Sequence, residues 1–113
     1  MKGYFKGTPG PWVIDANGVQ SRWNVDDRHG NAVALTQQLP NDKLWEKRDA
    51  NTQLISAAPE LLIALQQMVS RIEYYARLKE TEQPNIEDWA YTYNSSDMDD
   101  ARVAIAKALG EQQ

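Results

Sequence analysis

From Asp49 onward, apolar residues recur at the three-four spacing of a helix, and a proline sits inside the run. The positions are Leu54, Ile55, Ala58, Leu61, Leu62, Leu65, Met68, Val69, Ile72 and Tyr75, about six turns of one face. Proline has no backbone donor and its ring crowds the preceding turn, so Pro59 cannot lie within an undisturbed helix. It also pushes Ala58 away from the α region. The pattern predicts a helix over 49–79 that is broken or sharply kinked near 58–59. In the broken form, a short helix ends near Ala57 and a second opens with Pro59 at its favoured first position. Glu60 then suits the positive end of the new helix dipole, and Asp49 is the expected N-cap of the first segment.

Upstream the period is two. Thr8-Pro9-Gly10-Pro11-Trp12 packs two prolines and a glycine into four positions, which excludes helix. Trp12-Val13-Ile14-Asp15 reads as a first strand. Asn17-Gly18 is the pair that type I′ hairpin turns prefer, because both central residues need positive φ. Val19, Ser21, Trp23 and Val25 then alternate with Gln20, Arg22 and Asn24, one set facing inward and the other outward. Asp26 to Asn31 forms a longer turn, and Ala32-Val33-Ala34-Leu35-Thr36 a third strand. The result is a three-stranded antiparallel meander over 8–37, behind a flexible N-terminal arm at 1–7. Leu39-Pro40-Asn41-Asp42 closes the sheet. Residues 42–49 read as a charged loop or helical turn, with Leu44 and Trp45 as anchors.

Beyond the long helix, 80–95 is polar and contains Pro84. Within it Trp89, Tyr91 and Tyr93 alternate with Ala90 and Thr92. That pattern fits an aromatic loop or an edge strand, which would make the sheet four-stranded. Ser95-Ser96-Asp97 caps a C-terminal helix over 96–109, with Met98, Ala101, Ile105, Ala108 and Leu109 on one face. The fold class expected is therefore α+β: a meander, a long Pro-broken amphipathic helix and a C-terminal helix. At 113 residues the chain suits a single domain with one modest core. An apolar stripe of this length exceeds what a small sheet and one short helix need to cover. Self-association through the 59–78 helix is expected.

Composition narrows the function classes. The chain has no Cys, so disulfides and thiolate metal sites are excluded. No apolar run approaches the roughly 20 residues of a membrane span. Met1-Lys2-Gly3-Tyr4-Phe5-Lys6 has a positive start without an apolar stretch behind it, which argues against a signal peptide. A cytoplasmic setting is expected. The net charge of −4 argues against long nucleic acid, whose binding depends on Lys and Arg neutralising phosphates.

No residue pattern spells out catalysis. His29 is the single histidine and stands in a polar turn, with no nucleophile at a strained elbow. Asp97, Asp99 and Asp100 lack the register of a calcium loop and read as helix-start carboxylates. Asp15, Glu60 and Glu87 are scattered over different elements, and Gly18 and Gly30 make no phosphate-binding loop. A non-enzymatic protein without metal or cofactor is the expectation.

A ligand-binding surface is the better candidate. Arg22, Trp23, Asn24, Arg28, His29 and Asn31 lie on one strand and its turn, with Trp45 or Trp89 as a nearby ring. Arginine offers a planar fork for phosphate or carboxylate, and tryptophan a stacking plate. Trp89, Tyr91 and Tyr93 form a second candidate, an aromatic anchor set for a protein partner.

Three segments carry a resemblance. Thr8-Pro9-Gly10-Pro11-Trp12 opens the chain. Ala50-Asn51-Thr52-Gln53-Leu54-Ile55-Ser56-Ala57-Ala58-Pro59-Glu60-Leu61-Leu62 lies at its centre. Ala101-Arg102-Val103-Ala104-Ile105-Ala106-Lys107-Ala108-Leu109-Gly110 closes it. In order and spacing they resemble a family of small phage and prophage proteins with TPGPW, NAxLIAAAPELLxAL and ARxAIAKAxG motifs. The sequence departs at Thr52, where the family usually has Ala, and 79–95 has no counterpart. The resemblance implies a phage origin and brings no catalytic residues. Small phage proteins outside the virion often counter host defences or redirect host machinery. Two roles are therefore expected: a non-catalytic binder that sequesters a small nucleotide-like signal, or an inhibitor that binds a host protein.

Overall fold

The structure, a computed structural model, describes residues 4–18, 22–37, 45–83 and 87–111. It has an α+β architecture in which a three-stranded antiparallel sheet precedes four α-helices. The strands are β1 (Val13–Ile14), β2 (Asn24–Asp26) and β3 (Ala32–Leu35), in the order β1-β2-β3. The helices are α1 (Glu46–Ser56), α2 (Ala58–Arg77), α3 (Glu87–Tyr93) and α4 (Ser96–Ala108), with a short 3-10 turn at Glu80–Glu82. Where the sequence suggests one domain, the chain forms two compact units: Lys6–Leu61, and Leu62–Gln113 with Met1–Phe5.

In the sheet unit, Val13 stands opposite Asp26 and Ile14 opposite Val25, while Asn24 pairs with Leu35 and Val25 with Ala34. A bulge between Val25 and Asp26 lets Asp26 face Ala32. Val25 is fully buried and is the apolar centre of this unit. Around it the buried residues are polar: Asp26, Asp27, Thr36 and Thr52. Each has a hydrogen-bonding task, as burial of a polar group demands. Asp26 accepts the Ala16 N–H at 3.1 Å, and Thr36 and Thr52 share a 2.7 Å hydroxyl contact.

The Asn17-Gly18 pair does not centre a two-residue hairpin. Gly18 has φ 65°, but Asn17 is not among the positive-φ residues, so the type I′ requirement fails. Instead the Gly18 N–H closes a turn back to Asp15 O at 3.1 Å. Asn17 uses its side chain elsewhere, donating from Nδ2 to Gly30 O at 2.8 Å. A Cβ on Gly30 would come within 2.5 Å of Asn17 Oδ1, so this contact depends on glycine at 30. Positions 19–21 of the predicted alternation lie outside the described residues.

The long helix is split. Ala57 separates α1 from α2 while keeping αR geometry (φ −88°, ψ −4°), so the two helices abut without a loop. Pro59 is the second residue of α2, within the first turn, where a missing N–H costs nothing. The Thr8–Trp12 segment lies against this junction. A Cβ at Gly10 would meet Pro59 Cβ at 2.7 Å, and Trp12 Nε1 ties the segment to itself through Thr8 O at 3.1 Å.

The start of α1 departs from the sequence reading. The helix begins at Glu46, and Trp45 holds the N-cap place in left-handed geometry with no side-chain capping bond. Asp49, expected as N-cap, lies in the first turn with its carboxylate free for other contacts.

In the helical unit, Val69 and Met98 are buried, and the Ser95 hydroxyl caps α4 by accepting the Met98 N–H at 3.3 Å. Trp89 meets Tyr75 edge-on at 6.2 Å, and Arg102 pairs with Glu73 at 3.4 Å. Residues 87–93 are helical, correcting the loop or edge strand expected from alternation. Alternating aromatics over five residues fit a strand only if a sheet edge receives them; here α3 packs on α4 instead.

Candidate functional site

The predicted ligand residues do not converge. β2 separates them, with Arg22 and Trp23 before it and Arg28, His29 and Asn31 after it. Three strand residues span about 10 Å of extended backbone. Asn24 lies in β2, where its backbone carbonyl accepts the Asp15 N–H at 3.0 Å.

The C-terminal group is a structural turn. Asp27 Oδ1 accepts the N–H groups of His29 and Asn31, both at 2.9 Å, and Oδ2 lies 3.4 Å from Asn31 Nδ2. The Gly30 N–H closes onto Asp27 O at 3.0 Å, with Gly30 at φ 82°. These bonds hold the Asp27 carboxyl below the usual carboxylate range, the Asn31 N–H contributing most, against the opposing effect of burial. Arg28 and His29 stay on the surface of this turn.

The N-terminal group meets α1 and gains three residues. Trp23 and Trp45 stand edge to face, 5.5 Å apart at 77°. The Arg22 guanidinium lies 4.9 Å from the Trp23 ring centre and 5.5 Å from that of Trp45. Arg48 stacks over Trp23 at 3.9 Å. Asp49 Oδ1 accepts Trp23 Nε1–H at 2.9 Å and pairs with Arg22 Nε at 3.2 Å. Two guanidinium groups, two indoles and one carboxylate thus form a single patch, the kind that holds planar anions.

A buried relay stands behind it. Arg48 Nε donates to Thr36 O at 2.9 Å, and Thr52 Oγ1 donates to Arg48 O at 2.8 Å. Because the single Thr52 hydroxyl proton goes to that carbonyl, Thr36 supplies the proton shared between the two hydroxyls. Thr36 N–H in turn bonds Trp23 O at 3.2 Å. Thr36, just after β3, therefore holds the Trp23 backbone and the Arg48 guanidinium that lies over the Trp23 ring.

Sequence reasoning missed Arg48 and the contacts of Asp49 with Arg22 and Trp23. The signal was present, since 45, 48, 49 and 52 share one helical face once α1 starts at Glu46. Trp45 was foreseen as a neighbour; Trp89 belongs to the other unit.

The aromatic set at the other end of the chain also divides. On a helix, Trp89 and Tyr93 fall on one face and Tyr91 on another. Trp89 packs on Tyr75, and Arg102 lies 5.5 Å over Tyr93. Tyr91 alone of the three is exposed, at 81%. Among the described residues, no three His, Asp or Glu side chains gather as a metal site requires, and no helix is long and apolar enough to cross a membrane.

Residues 1–112 match the family described as Salmonella phage P22 protein Y8K6. The chain belongs to that phage family. No curated protein and no solved structure matches it. For this member of the P22 Y8K6 family, the Arg22–Trp23–Trp45–Arg48–Asp49 patch joins two indole rings, two guanidinium groups and a carboxylate.

Proposed function

We propose that the protein is a phage accessory factor that acts as a non-catalytic binder of a small, anionic, nucleotide-like ligand, sequestering such a signal in the host cytoplasm. The observation that carries this reading is Trp45. A bulky residue at φ 54° is held in a conformation that costs energy, with 43% of its surface accessible, beside Arg22 and Trp23. That placement sets a ring for a base within reach of a guanidinium for phosphate. Isothermal titration against AMP, ADP, cyclic dinucleotides and ADP-ribose derivatives tests it. Binding is expected for at least one, with loss in Trp45→Ala; no heat from any of them removes the reading.

A second reading rests on Tyr91. An aromatic side chain 81% exposed is a suitable anchor for a host protein, and it replaces the three-residue anchor expected from the sequence. Pull-downs from host lysate that return the same partners with Tyr91→Ala would end this version. Self-association fits the same unit, because Ile63, Met68 and Tyr74 on α2 are 52%, 68% and 49% exposed. Light scattering is expected to give a mass above the 12.8 kDa of one chain, and a clean monomer refutes it.

A further inference from the structure

We propose that Asp49 is a built-in competitor at the Arg22–Trp23 patch, so that a ligand must carry at least two negative charges to bind well. The inference rests on the binder reading above and specifies which ligands that site accepts. Asp49 Oδ1 already takes the donors an incoming anion would seek, Arg22 Nε at 3.2 Å and Trp23 Nε1 at 2.9 Å. The pair is open to solvent, with 56% of the Arg22 side chain and 44% of the Asp49 side chain accessible, so exchange needs no opening of the fold. The Nε edge of a guanidinium is one of its two bidentate edges. While Asp49 holds it, a singly charged ligand exchanges one carboxylate for one anion and gains little.

Arg48 alters this balance for a more highly charged ligand. Its Nε donates to Thr36 O and its guanidinium carbon lies 3.9 Å from the centre of the Trp23 ring, which the Arg22 guanidinium approaches at 4.9 Å. A terminal phosphate or a diphosphate can displace Asp49 from Arg22 and also address Arg48. A neutral nucleoside can do neither. The class that fits is thus a nucleoside mono- or diphosphate with a terminal dianionic group. A lone phosphodiester, with one charge, fits less well.

Adenosine, AMP and ADP titrated into wild type and Asp49→Asn, read by calorimetry and tryptophan fluorescence, test the exchange. Wild type is expected to rank ADP above AMP and both above adenosine. Asn keeps an acceptor for Trp23 while removing the charge, so AMP should bind about 1.5- to fivefold tighter in D49N, the range of one exposed ion pair. Adenosine should be unchanged. If AMP binds D49N no better than wild type, the competitor role falls while the binder reading stands. If none of the three binds either protein, the nucleotide reading falls and takes this one with it. Should D49N lose its helical circular dichroism, Arg22→Gln supplies the contrast: AMP weakens and adenosine does not. Equal weakening of both would overturn the exchange.

Discussion

The two compact units bury different chemistry. In the sheet unit one apolar residue, Val25, is buried beside four polar ones, Asp26, Asp27, Thr36 and Thr52. In the helical unit the buried residues described are apolar, Val69 and Met98. Strands of two to four residues bury little apolar surface, so the sheet unit is held by directed hydrogen bonds between its turns, β3 and α1. The helical unit can rely on non-directional packing of one face against another. The difference also bears on where the proposed ligand patch lies. A network that already orients carboxylates, hydroxyls and guanidinium groups can present them to a ligand, whereas packed aromatics such as Trp89 are spent on their neighbours.

The comparison can be broken at several points. The largest effect is expected from Met98→Ala, which opens a cavity at a site 3% exposed and should cost about 2–5 kcal/mol. Urea denaturation followed by circular dichroism measures it, and a loss near zero would mean that packing does not hold the helical unit. Thr52→Val keeps shape but removes the hydroxyl that joins Thr36 to Arg48 O, and should cost roughly 1–3 kcal/mol. A neutral result would remove the polar account of the sheet unit. Gly10→Ala tests the contact of the N-terminal segment with the helix junction. Its new Cβ, 2.7 Å from Pro59 Cβ, must be relieved by backbone movement at about 1–3 kcal/mol.

A smaller effect, readable by its pH dependence, is expected at Asp27. Its carboxyl is held below the ordinary value by the Asn31 and His29 N–H groups. The stabilisation is therefore full above the unfolded value of about 3.9 and is lost as pH falls through the lower folded value. Thermal melts should show Asp27→Ala destabilised at neutral pH, with the gap to wild type closing in acid. A gap constant with pH would show that the turn does not depend on this charge. The smallest change is expected for Tyr91→Ala, within about 0.5 kcal/mol in stability, since the side chain is mostly in solvent. A larger loss would mean that Tyr91 is structural and no anchor.

Much of the fold was legible because it follows from local rules. The shift in apolar period marked where sheet gives way to helix, and Pro59 marked the split because no helix interior accommodates its ring. The serine start of α4 was readable for the same reason, since capping is a matter of a few consecutive residues. The candidate site was half legible. Arg22 and Trp23 were visible as chemistry, but Arg28, His29 and Asn31 were grouped with them across a strand that carries them to its other end. Placing α1 one turn too late hid Arg48. Alternation misled at Trp89–Tyr93, because period two over five residues is also what a short helix shows when only two of three rings pack.

The sequence by itself therefore determined the meander, the long helical stretch with its disruption near 58–59, the C-terminal helix and the absence of thiol chemistry. These depend on backbone constraints and composition, which act over a few residues. Only the tertiary structure decided that Asp49 joins Arg22 and Trp23 and that Thr52 meets Thr36. It also decided that α3 turns two of its three aromatics inward. Those outcomes join residues 16 to 27 positions apart within a unit, or choose a face for a helix, and no local rule reaches that far. Thr52 shows the limit well. In the sequence it is a departure from a resembled motif, and in the fold it is the buried hydroxyl that ties β3 to the binding face of α1.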